Sequence, residues 1–155
     1  MDKKWILFFV FMILTSCFGG SEEVYMASVD GVWKKNEAKK IEFEVKDSQI
    51  PKNIIFVVRN NNDYPYSNLF LISTIKGDQN QILKTDTIDY TLAKSNGEWL
   101  GSGFGSTKEI LFQYKVGYRF PANGKYRVEV KHGMRMNTLP GIEDLGVKLE
   151  PTKQP

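Results

Sequence analysis

Alternation of apolar and polar residues in short segments is the feature that most limits the folds open to this chain. Ile41, Phe43 and Val45 alternate with Glu42, Glu44 and Lys46, the period-2 pattern of a strand with one wet face. Thr85 to Leu92 repeats it, with Thr87, Asp89 and Thr91 set against Ile88, Tyr90 and Leu92. Glu109 to Tyr114 and Lys125 to Val130 do the same. Residues 54–58, Ile-Ile-Phe-Val-Val, are apolar on both faces, which predicts a central strand. Leu69 to Ile75 is similar but softens into Ser73 and Thr74, and Val147 to Leu149 gives a short last strand. Helical periodicity is poor after the N-terminal segment, and at most a turn is expected around Gly141-Ile142-Glu143-Asp144.

Turn chemistry separates these segments. Asn96-Gly97 and Asn123-Gly124 are pairs that tolerate positive φ in tight hairpins, while Asn60-Asn61-Asn62-Asp63 and Gly77-Asp78-Gln79-Asn80 read as loops. Pro65 and Pro121 belong at strand starts or in loops, where no ladder donor is needed. Many short strands without intervening helices predict an all-β fold, a single antiparallel β-sandwich. Jelly-roll-like and immunoglobulin-like topologies remain equally open at this point.

The N-terminus has a different character. Lys3 and Lys4 precede an apolar run from Trp5 to Leu14, followed by Thr15, Ser16 and Cys17, the only cysteine. Ten apolar residues suit a secretory signal and are too few to span a bilayer core of roughly 30 Å as a helix. The cysteine directly behind small residues resembles a bacterial lipobox. That resemblance implies cleavage before Cys17, a diacylglyceryl thioether on its sulfur and acylation of the new N-terminus. Each buried acyl methylene contributes about 0.8 kcal/mol, so two or three chains anchor stably where one does not. The expected organisation is a signal peptide over 1–16, a lipidated tether over 17–23, a sandwich domain over 24–150 and a tail over 151–155. Phe18 is not the aspartate associated with inner-membrane retention, and the expectation is an outer-membrane anchor, with the leaflet open. Acidic Ser21-Glu22-Glu23 only weakly resembles a surface-export tract.

Removal of residues 1–16 takes away Lys3, Lys4 and Asp2, leaving a net charge of +2 from the +3 of the full chain. Charge so balanced and dispersed gives no reason to expect nucleic acid, which calls for a clustered basic face. With Cys17 lipidated no disulfide can form within the fold, so stability must come from an apolar core in which aromatic side chains are plentiful.

Catalytic patterns are absent from the sequence. His132 is the only histidine, and beside Lys131 and Arg135 it reads as an exposed strand-end residue. Gly101-Ser102-Gly103 lacks the glycine two positions before the serine that a nucleophile elbow needs. Gly101, Gly103 and Gly105 match neither the dinucleotide fingerprint nor the phosphate loop, and are expected to let the backbone bend while Trp99 and Phe104 pack beside them. One histidine and one lipidated cysteine cannot make a zinc site. Asn60 to Asp63 offers oxygen ligands without the spacing of a calcium loop. Asp63, Asp86, Asp89 and Glu98 could converge in a cleft, but retaining sugar hydrolysis would need two of them about 5 Å apart, and surface solvation is the expected role of each. The expectation is therefore no enzyme, no metal and no cofactor.

Two segments concentrate aromatic and hydrogen-bonding side chains: Asn62-Asp63-Tyr64-Pro65-Tyr66-Ser67-Asn68 and Gly97-Glu98-Trp99-Leu100-Gly101-Ser102-Gly103-Phe104-Gly105. Tyr64, Tyr66, Trp99 and Phe104 are the candidate partner or ligand surface, for protein or for carbohydrate. The same residues can equally cap the end of the core.

These two segments, with Arg59-Asn60, Phe43-Glu44-Val45, Phe120-Pro121-x-x-Gly124-Lys125-Tyr126 and Met134-Arg135 before Gly141-Ile142, resemble the gliding-motility lipoprotein GldH family of Bacteroidetes. The likeness runs in order over roughly residues 30–150. It implies a non-enzymatic, lipid-anchored accessory protein of the gliding and type IX secretion machinery, working through other envelope proteins. No catalytic residues are carried over. Residues 136–140 make a short approach to Gly141, where a loop departs from longer relatives. The competing expectation is a surface-displayed carbohydrate-binding module.

Overall fold

A computed structural model describes residues 22–152. The expected signal peptide, Cys17 and the end of the expected tail lie outside the described residues. Ten strands run in chain order: β1 Glu23–Ser28, β2 Val32–Lys34, β3 Lys39–Val45, β4 Lys52–Asn60, β5 Asn68–Lys76, β6 Ile82–Thr91, β7 Lys108–Tyr118, β8 Gly124–His132, β9 Thr138–Pro140 and β10 Ile142–Pro151. One four-stranded sheet has the order β1-β10-β4-β7, the other β3-β8-β5-β6, and β2 pairs with β9 in a two-stranded ribbon. Every pairing is antiparallel.

The fold is the expected antiparallel sandwich, and its topology is now decided. Eight main strands divided four and four, with the chain passing repeatedly between sheets and β10 returning between β1 and β4, make a jelly roll rather than an immunoglobulin arrangement. The expected strands are all present, several of them longer. Val147–Leu149 is only the second half of β10, which already begins at Ile142, so strand stands where a turn was expected around Gly141–Asp144. β1, β2 and β9 were not foreseen. β1 starts at Glu23, the last residue assigned to the tether, and β10 runs one residue past the expected domain end. Gly97 has φ +86 and closes the Lys94–Glu98 turn as expected of Asn96-Gly97.

Side chains alternating inward from both sheets form the core. Ile54, Phe56 and Val58 of β4 and Leu145, Val147 and Leu149 of β10 join Leu69, Leu71 and Ile75 of β5 and Tyr126, Val128 and Val130 of β8 in one buried cluster. Each such burial stabilises by about 1.5–3 kcal/mol. The both-faces-apolar run at 54–58 is explained by position: β4 lies between β10 and β7, and its outward Ile55 and Val57 are buried too.

The antiparallel registers sort the connections to two ends of the sandwich. At one end lie the starts of β1 and β4, the ends of β7 and β10, and the connections 46–51, 77–81 and 119–123. At the other lie connections 29–38, 61–67, 92–107 and 133–141, including the β2–β9 ribbon. The first is called the terminal end and the second the loop end. A ten-residue strand such as β10 separates them by about 30 Å.

Candidate functional site

The loop end gathers the aromatic side chains singled out in the sequence, and local hydrogen bonds explain how. Asn61 closes its own turn, its Oδ1 accepting from the Asp63 amide at 2.9 Å, while its Nδ2 donates to Glu143 Oε1 at 3.0 Å. Gly141, at φ +82, presses so close that a Cβ there would lie 2.1 Å from the Tyr64 amide nitrogen, so only glycine lets the two loops meet. This turn delivers Tyr64 to the core, 3% exposed, with its hydroxyl donating to the Asn68 carbonyl at 2.6 Å. Burial pushes the Tyr64 phenol well above its ordinary value, so it stays a neutral donor.

Tyr66 and Trp99 pack on that buried ring, with centroids 6.0 and 6.4 Å from it. The Trp99 indole N–H donates to Asn62 Oδ1 at 3.1 Å, joining the 92–107 connection to the 61–67 connection. Backbone bonds from Leu92 and Ala93 to the Ser67 carbonyl and from Leu100 to Leu92 fix the same junction. Tyr64 is thus the support, and Tyr66 and Trp99 are the half-buried layer above it. Phe104 takes no part. It is 100% exposed, contrary to the expectation that it packs with Trp99 beside the glycines. Gly103 does have a structural reason, since a Cβ there would meet the Thr107 carbonyl at 2.4 Å as the segment folds against the start of β7.

His132 overturns its sequence reading. It is 1% exposed, edge-on to the buried Trp33 at 5.5 Å, with Nε2 3.1 Å from the Trp33 carbonyl oxygen. A carbonyl only accepts, so Nε2 carries the proton, and buried Nδ1 is left without a partner. Burial holds the imidazole below its ordinary value; the bond to Trp33 opposes this in part and the Lys35 charge adds to it. The signal was present in the sequence: Tyr126, Val128 and Val130 point inward at period 2, and the next such position is 132. Trp33, donating from Nε1 to the Glu37 carbonyl at 2.9 Å, was missed because β2 is only three residues long.

The carboxylates considered for hydrolysis are held apart by strand parity and local partners. Asp86 faces inward at the β6–β7 side, 2.8 Å from the Tyr114 hydroxyl and 2.9 Å from Lys115 Nζ. Burial would raise its pKa, but those hydrogen bonds and charges hold it below the ordinary carboxylate value. Asp89, of opposite parity, accepts from Asn68 on the outer face, and Glu98 pairs with Lys94 at 2.9 Å across a turn. The amide side chains of Asn61 and Asn62 are engaged in the turn and with Trp99. Among the described residues no group of three or more His, Cys, Asp or Glu side chains is placed to hold a metal ion, and no helix is long and apolar enough to cross a membrane.

Two depressions stand out on the surface. One of about 380 Å³ lies at the terminal end between Glu42, Glu44, Asp78, Lys125 and Arg127, where Arg127 pairs with Glu42 and bonds to Asn80. The other, about 360 Å³, opens at the loop end between Tyr66, Asn68, Phe70, Gly133, Met134 and Arg135.

The family model described as GldH lipoprotein matches residues 22–149. A protein of Christiangramia forsetii named gliding motility lipoprotein GldH homolog is 42% identical over 125 residues, covering 76% of each chain. The gliding motility lipoprotein GldH of Flavobacterium johnsoniae is 33% identical over 157 residues, covering 97% of each. Among solved structures, a family 35 carbohydrate-binding module from Clostridium thermocellum is similar at 14% identity and a TM-score of 0.38, over 82% of this chain and 97% of that one. So low a score carries no argument about ligand.

Proposed function

The chain belongs to the GldH lipoprotein family, and from that premise we propose a lipid-anchored envelope protein of the gliding machinery that acts by holding protein partners. In this reading Cys17 carries the lipid, the anchor sits in the outer membrane, and the work, in gliding and in type IX secretion, is assembly without catalysis. The observation that carries it is the polarity of the sandwich. β1 begins at Glu23, so the chain from Cys17 to Glu22 reaches at most about 18 Å and keeps the terminal end close to the bilayer. The loop end, with Tyr66, Trp99 and Phe104, then stands about 30 Å further out. A protein so arranged presents its aromatic loops to whatever lies beyond the membrane surface. The engaged carboxylates and the buried, neutral His132 support a role without turnover.

In-cell crosslinking from the loop end tests this reading. A photoreactive residue at Phe104 is expected to trap other envelope proteins of the motility machinery, and the same residue at Pro121, at the terminal end, to trap few. Traps from neither end, together with saturable glycan binding lost in Trp99→Ala, would replace assembly with carbohydrate recognition.

A further inference from the structure

We propose that the cleft between Tyr66, Phe70, Met134 and Arg135 is a docking site for an acidic partner segment that carries an apolar side chain. The inference rests on the assembly reading above and names the chemistry of the partner. Its floor lies on the outer face of the β3-β8-β5-β6 sheet. There Phe70 and Ile72 of β5 remain 37% and 38% exposed, side by side at alternate positions of one strand. The Phe70 amide donates to Met134 Sδ at 3.2 Å and its carbonyl accepts from the Gly133 amide at 2.7 Å, which fixes the 133–135 segment along the strand. Gly133 has no positive φ that would demand glycine. A Cβ there would instead crowd Phe70 Cβ at 3.1 Å and lie 3.8 Å from Ile72 Cγ1. The missing side chain therefore leaves the dip open between the two apolar residues.

Charge at the rim selects the occupant. Among the described residues neither Arg135 nor Lys131, which is opposite Ile72 in register, lies within 4.0 Å of a carboxylate. Further along the same face Glu129 is already paired, with Lys76 at 2.8 Å and Arg127 at 3.0 Å. Asp89, opposite Phe70, is the one carboxylate bordering the apolar floor by register, and it is bonded to Asn68. Two unpaired cations beside an exposed phenyl ring, an isoleucine and a tyrosine match a segment that buries an apolar side chain and lays a carboxylate on the Arg135 guanidinium. The terminal-end depression differs in charge, since its Arg127 pairs with Glu42, its Lys125 lies opposite Glu44 in register, and Asp78 adds a third carboxylate.

The test uses the lipidated full chain in detergent micelles and two fluorescent peptides, Ala-Asp-Phe-Asp-Leu-Ala and its amide counterpart Ala-Asn-Phe-Asn-Leu-Ala. Anisotropy is expected to show the acidic peptide binding about tenfold or more tightly than the neutral one, a difference of the size of one charge-assisted contact. Arg135→Glu, an exposed position, should abolish that preference, Phe70→Ala should weaken both peptides, and Arg119→Glu at the other end should change neither. Equal binding of the two peptides, no binding of either, or a preference that survives Arg135→Glu overturns the proposal. Photocrosslinking in cells separates this failure from failure of the assembly reading. Adducts from position 104 but none from Ile72 would remove the cleft and leave assembly standing, whereas adducts from neither would remove assembly.

Discussion

The two ends of this sandwich are built on different principles. At the terminal end the connections are short and pinned by side chains that serve only the fold. The Tyr126 hydroxyl donates to the Ala122 carbonyl at 2.6 Å and accepts from the Ala122 amide, and Asn123 Oδ1 accepts from the Ser48 amide at 2.8 Å. Phe43, Phe120 and Tyr126 interlock beneath them, with ring centroids 4.7 to 6.2 Å apart. At the loop end the connections are long, a separate ribbon covers the core, and aromatic side chains grade from buried Tyr64 through half-buried Trp99 to bare Phe104. One end closes the sandwich tightly beside the start of β1. The other carries side chains the fold does not need, and that excess is where function is expected.

Substitutions can break that contrast, beginning with the ribbon. Trp33→Ala should cost about 3–5 kcal/mol, because it empties the cover over the core and removes the carbonyl-anchored edge against His132. Denaturant unfolding monitored by Trp99 fluorescence measures it. Phe43→Ala should cost a similar amount at the terminal end. A much smaller loss from Trp33→Ala would mean that the ribbon is an appendage rather than part of the core.

His132 gives the loop end a pH dependence. Its folded pKa is depressed, so the unfolded chain binds the proton more readily and stability falls as pH drops below the unfolded value of about 6.5. The slope should approach 1.4 kcal/mol per pH unit, roughly, until the folded imidazole itself titrates. Comparing urea midpoints at pH 7.5 and 5.5 checks this, and His132→Leu should flatten the difference. An unchanged slope in that variant would place the titration elsewhere.

Tyr126→Phe should cost about 1–3 kcal/mol, the worth of the two hydrogen bonds its hydroxyl makes to Ala122, since the ring stays in place. The smallest effect is expected at Phe104. Phe104→Ser should leave the unfolding midpoint within about 0.5 kcal/mol of the parent, as a surface change away from any packed feature. Crosslinking yield from a neighbouring loop position should fall in the same variant. A clear loss of stability would show that Phe104 packs after all.

Legibility in the sequence followed clean alternation more than length, since six-residue β1 and the first half of ten-residue β10 went unread. Long alternating strands such as β6 and β8 showed themselves, because period-2 burial repeats often enough to read. Three-residue β2 and β9 did not, and they form the cover over the distal core. Within the candidate surface, the motif spacing placed Tyr64, Tyr66 and Trp99 in neighbouring loops, yet nothing local separated a supporting ring from an exposed one. The cleft at Phe70 and Arg135 was invisible for a further reason. It joins Phe70 of β5 to Met134, 64 residues further along the chain, through a backbone bond and a missing side chain at Gly133.

By itself the sequence determined an all-β sandwich, strands of set polarity and the family to which the chain belongs, since each depends on local alternation or on residue order. Tertiary structure alone decided that the sandwich is a jelly roll, that His132 meets Trp33 of a distant strand, and that the aromatic loops crowd the end opposite Glu23. These depend on which strands pair across the chain, as β10 does between β1 and β4. Such pairing is settled by the collective burial of both sheet faces, which no short stretch of residues encodes.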